Sequence, residues 1–174
     1  MRRLHIGGWE TREGWEIFDA LPRQGADHVG TCKDLSRFPD ATFQDVYASH
    51  VIEHLDYLNE MPSALKEWHR VLAPGGRLYV SAPDLDTLCE LFLLRETTTP
   101  AERYLVMRMM FGGHTDPYDY HIAGLNEEFL TGYLQDAGFG EIRRVDGFGL
   151  FHDSSALEFK GIPISVNLIA TKPA

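Results

Sequence analysis

The chain has 174 residues, 44% of them hydrophobic, which is enough for one domain with a single continuous core. Its formal net charge of −10 disfavours a nucleic-acid backbone as partner, because Arg2-Arg3 and Arg143-Arg144 are the only compact basic groups. Two cysteines without CxxC spacing give no disulfide or zinc-ribbon framework, and the absence of a leader-type or membrane-length apolar run predicts a reduced, cytoplasmic setting with no membrane partner.

In chain order, Leu4–Ile6 reads as a strand that breaks into Gly7-Gly8, and Trp15–Phe18 reads as a second ending at Asp19. Eight residues are few for a parallel crossover, so either the first helix is reduced to one turn or the pairing is different. Residues 26–30 form a weak third strand. Val46–Ala48 forms a β-prone run with Ser49 as a possible cap, and Leu58, Met61, Leu65, Trp68 and Leu72 then recur at helical spacing. Pro74-Gly75-Gly76 is a helix stop, and Arg77–Ala82 is the next strand. Two strands joined by such a helix are most simply parallel neighbours.

Beyond Ala82 lie an apolar helix over 88–94 and a second that opens on Thr99-Pro100-Ala101-Glu102, which has the residues of a capping box. A loop rich in His, Asp and Tyr comes next, hinged at Gly112-Gly113. Asn126 caps another helix, with Phe129, Tyr133, Leu134 and Ala137 as its expected buried stripe, and two closing strands cover 141–145 and 164–170. The alternation predicts a three-layer, Rossmann-like α/β sandwich with a mainly parallel sheet in one domain, 1–174, carrying a helical lid insertion at 86–125.

The stretches YASHVIEHL and ALKEWHRVLAPGGRLYVSAPDL together resemble the second half of the core of class I S-adenosylmethionine-dependent methyltransferases, closest to the small bacterial "type 11" kind. The resemblance implies S-adenosylmethionine as cofactor and an antiparallel last strand. It places the methionine part of the cofactor against the Gly7-Gly8 turn, where Trp9 replaces the usual second glycine of Gly-x-Gly and His5 the usual acidic residue. It places the adenine amino group at Asp34, with Leu35 beside it.

Independently of the resemblance, ligands of open α/β sheets settle at the carboxyl ends of strands. Asp19 can accept two hydrogen bonds from a ribose diol, and Ser49 turns the corner after its strand. Together with Asp34 and Leu35, which only the resemblance implies, Gly7, Gly8, Asp19 and Ser49 form the expected cofactor set. His50, His121 and Asp84 are the candidate bases, since each stands at a strand end or in the lid and histidine suits proton transfer at neutral pH. The resemblance implies methyl transfer, with O-methylation of a sugar or metabolite hydroxyl as the expected activity. Two alternatives remain: a degenerate binding protein of the same fold, motivated by His5 and Trp9, and a zinc hydrolase using His50-x-x-Glu53-His54, a spacing that puts two histidines on one face if the segment is helical.

Overall fold

A computed structural model describes residues 2–174. Among these, nine strands and four α-helices form: β1 (Arg2–Ile6), β2 (Trp15–Asp19), β3 (His28–Val29), β4 (Phe43–Ser49), α1 (Glu60–Val71), β5 (Leu72–Pro83), α2 (Leu85–Leu93), α3 (Pro100–Phe111), α4 (Glu127–Asp136), β6 (Gly140–Arg144), β7 (Glu158–Phe159), β8 (Ile162–Pro163) and β9 (Ser165–Thr171). Seven strands make one sheet in the order β3-β2-β1-β4-β5-β9-β6, and β7 and β8 form a separate small hairpin. The first five strands run parallel, and β9 is antiparallel to both β5 and β6.

Alternation along the strands divides the core. Leu4, Ile6, Val46, Ala48, Leu78, Val80, Val166 and Leu168 face one side, where Met61, Leu65 and Trp68 of α1 and Leu130 and Leu134 of α4 cover them. The intervening Tyr47, Tyr79 and Ile169 face the other side and are covered by Phe148, Leu150 and Phe151, which lie on irregular chain after β6. His5 sits in that aromatic layer, with its ring centroid 4.0 Å from Phe151 and 4.9 Å from Tyr47. A third cluster joins α2 and α3 through Leu88, Leu91 and Val106, with Phe159 and Ile164 of the hairpin region.

Several elements differ from the sequence reading. β1 and β2 pair in parallel through a connection that contains no helix. The helix stripe begins only at Met61, since Leu58 precedes α1 and is exposed. α1 ends at Val71, ahead of the Pro74-Gly75-Gly76 stop, and those residues start the long β5 instead. Ser49 caps no helix: the chain beyond it makes a single 3-10 turn over Ile52–His54, and the Ser49 hydroxyl donates to Asp153 at 3.2 Å. In α4 the buried stripe is Leu130 and Leu134, while Phe129 is half-exposed. The two helix caps hold: Thr99 and Glu102 form a reciprocal capping box, and the Asn126 side chain accepts from the Phe129 amide.

Candidate active site

A cavity of about 540 Å³ opens where β1, β2, β3 and β4 end. Gly7 forms its floor. The Gly7 amide donates to the Phe18 carbonyl at 2.8 Å, and the residue holds φ +71, a left-handed backbone that glycine adopts without strain. A Cβ built there would lie 2.6 Å from Val51 Cγ2, so both conformation and space require glycine.

Asp19 closes β2 and lines the cavity while only 5% exposed. Its Oδ1 accepts the Leu21 amide at 2.7 Å and lies 3.5 Å from Arg23 Nε. The other carboxylate oxygen is uncommitted and is available to a ligand. Arg23, beside Asp19, and Lys33, ion-paired with Glu60, also line the cavity.

His50 follows β4 at φ +52 and lines the cavity. Its amide donates to the Ser81 carbonyl at 3.0 Å, its Nε2 lies 2.9 Å from Ser165 Oγ, and its Nδ1 lies 3.5 Å from Glu53 Oε1. Burial, helped by His121, pushes its pKa down to about 3, so the ring is neutral at ordinary pH. His54 also lines the cavity, while Asp116, Tyr118 and Asp119 of the loop after α3 close its far side. Asp119 fastens that loop by accepting from the Gly113 and Thr115 amides and from the Thr115 hydroxyl.

The remaining candidates lie elsewhere. Gly8 packs against His5, where a Cβ would meet the ring at 2.5 Å. Asp34 is exposed, and Ser36, through its hydroxyl first and then its amide, holds the Asp34 carboxyl below the usual range; its neighbours Cys32 and Lys33 reach the cavity instead. Leu35 is fully buried in the core. Ser49 faces the aromatic side, where Asp153 also accepts the Tyr47 hydroxyl at 2.6 Å. Asp84 is buried and accepts from Arg144 Nη2 at 2.8 Å and from the Thr87 hydroxyl at 3.1 Å. His121 stands beside Glu53 rather than on the cavity wall, and burial lowers its pKa. His50 and His54 do not share a helical face, because the segment between them is a left-handed residue and a 3-10 turn. Sequence reasoning missed Arg23, Lys33 and Asp119 as cavity residues, for which no local pattern exists. It named Glu53 only within the hydrolase motif, and that spacing was the one signal available.

Residues 19–80 match a family model described as a methyltransferase domain. No curated protein sequence matches the chain. Among solved structures, the chain is similar to an S-adenosylmethionine-dependent methyltransferase of Thermotoga maritima described as a possible histamine N-methyltransferase, with TM-score 0.58 and 20% identity over 98% of this chain and 82% of that one. It is similar to a second such methyltransferase, from Archaeoglobus fulgidus, with TM-score 0.60 and 18% identity over 98% and 86%. It is also similar to the CurJ carbon methyltransferase, with TM-score 0.60 and 14% identity, where it covers 99% of itself but spans only 48% of that longer chain. The sheet order and the antiparallel β9 are those of this shared fold.

Proposed function

We propose that the chain is a class I S-adenosylmethionine-dependent methyltransferase that takes its cofactor in the cavity above β1 to β4 and methylates a small-molecule acceptor. The observation that carries the reading is the convergence of Gly7, Asp19 and His50 on one cavity at the carboxyl ends of adjacent strands. The free oxygen of Asp19 suits a ribose hydroxyl, and the missing side chain at Gly7 lets a ligand approach the backbone.

When bound, the cofactor supplies an electrophilic sulfonium methyl and leaves as a neutral thioether that needs no acid. The protein contributes alignment and exclusion of water. The loop held by Asp119 covers the far side of the cavity and serves as the lid, and the segment 86–125 that carries it is the insertion over the site. His50, with its pKa near 3, is a weak base. It orients an acceptor hydroxyl rather than removing its proton. A hydroxyl of a sugar or similar metabolite is the acceptor that this neutral ring and the nearby polar lid favour.

Calorimetry with S-adenosylhomocysteine tests the reading. The chain should bind it, and Asp19→Asn should weaken binding about 10- to 100-fold, as expected for loss of a charge-assisted hydrogen bond. No heat at millimolar ligand would refute it and leave a degenerate binding protein.

A further inference from the structure

One group beside the cavity is left unused by this chemistry. Glu53 is 1% exposed, and neither of its carboxylate oxygens has a hydrogen-bond partner. Buried carboxylates are ordinarily paired, hydrogen-bonded or bound to a metal, because an unpaired one is strongly destabilising.

Three imidazoles surround it. His50 Nδ1 lies 3.5 Å and His121 Nε2 3.9 Å from the same Oε1. The potential ligand atoms of Glu53, His54 and His121 all fall within 4.8 Å of one another. The backbone holds this grouping in place. The Ile122 and Ala123 amides both donate to the Glu53 carbonyl, at 2.8 and 3.1 Å, which lays the lid segment across the 3-10 turn and delivers His121 to the carboxylate. The His121 amide is itself tied to the Phe111 carbonyl at 3.1 Å. His54 Nδ1 lies 3.0 Å from the Tyr120 carbonyl, an orientation that leaves Nε2 as the coordinating atom, as ligand histidines are commonly held.

We propose that Glu53, His54 and His121 bind a divalent first-row transition cation of the zinc kind, with an open position towards His50 and the cavity. Two imidazoles and one carboxylate are a ligand set of catalytic zinc sites, which keep a position free for an exogenous oxygen. Bonds of about 2.0–2.1 Å in a tetrahedral site separate ligand atoms by about 3.4 Å. The 3.9 Å between Glu53 and His121 would have to close by about half an ångström, and any pair at the 4.8 Å limit of the set by about 1.4 Å, which side-chain rotation supplies. The cation would also supply the positive partner that the buried carboxylate lacks.

Its role, though not its binding, rests on the methyltransferase reading. With a hydroxyl acceptor at the open position, the cation would lower the acceptor's pKa, so that its proton leaves to solvent as the acceptor binds and its oxygen is poised to receive the methyl.

The test is cobalt(II) titration of the full chain after chelator treatment, read by the visible absorption of four-coordinate cobalt. One equivalent should produce the band, and zinc should displace it. Glu53→Gln and His121→Asn should weaken binding by 100-fold or more, as should His54→Asn, which alters a less buried ring if the first two fail to fold. His152→Ala, which removes an exposed histidine remote from the cluster, should leave the band unchanged. No saturable band in the unaltered chain, or a band that survives in folded Glu53→Gln and His54→Asn, overturns the proposal. S-adenosylhomocysteine calorimetry separates the two readings: binding without a cobalt band sinks the cation site alone, whereas a cobalt band without ligand binding sinks the methyltransferase reading and upholds the site.

Discussion

Acidification should weaken the fold through His5, and the size of the effect is set by its surroundings. The ring is 4% exposed, lies against Phe151 and Tyr47, and has an Nδ1 with no partner. Burial lowers its pKa to about 4, against an opposing pull from Asp153 and Glu10. In the unfolded chain the value is near 6.5, so the unfolded state takes up the proton first. The contribution to stability is therefore complete above pH 6.5 and is lost as pH falls through 4. A difference of about 2.5 pKa units corresponds to about 3 kcal/mol at 1.36 kcal/mol per unit. His50 and Glu53 also titrate abnormally, with opposite signs, so the total profile does not isolate His5. Comparison with His5→Phe does. Urea unfolding of both proteins at pH 7, 5.5 and 4, followed by tryptophan fluorescence, should show the stability difference shifting by about 3 kcal/mol towards the variant. Any packing penalty of the phenyl ring is independent of pH and cancels. A difference that stays constant from pH 7 to 4 would refute the reasoning.

Gly7→Ala should lower stability by about 2–4 kcal/mol, combining a left-handed alanine with overpacking against Val51. It should also weaken S-adenosylhomocysteine binding, and an unchanged thermal midpoint would count against the geometry at this turn. Arg144→Ala should destabilise by about 1–3 kcal/mol at neutral pH, since Asp84 is buried but the arginine is partly exposed. Chemical denaturation measures this, and a loss below about 0.5 kcal/mol would show that Asp84 does not depend on the pair.

Local patterns were legible where local forces decide. The spacing of Met61, Leu65 and Trp68 identified α1, and the residues at Thr99 and Asn126 identified two helix starts, because stripes and caps involve neighbours three or four positions apart. The glycine after β1 and the aspartate after β2 were found by the strand-end rule, and both line the cavity. What stayed hidden depends on distant partners. Ser49 looks like a cap in sequence, but its hydroxyl serves Asp153, more than a hundred positions away. Asp84 follows a strand as a catalytic base would, yet Arg144 of β6 binds it. Asp34 faces solvent because the chain turns one residue earlier and presents Lys33 instead. The grouping of Glu53 with His121 arises from backbone pairing between the 3-10 turn and Ile122-Ala123, which no periodicity announces.

The layer over Tyr47 and Tyr79 has a bearing on how the protein is made. Its cover, Phe148 to Phe151, is encoded near the end of the chain, while the rings it shields are encoded in the first half. A nascent chain on the ribosome thus carries a bare aromatic surface until Phe148 to Phe151 have followed Tyr79, the condition under which folding intermediates associate with one another or with chaperones. Cutting the chain ahead of Phe148 would leave that surface permanently open and would also remove β9, the strand between β5 and β6, so such a truncation acts on the sheet as well as on solubility.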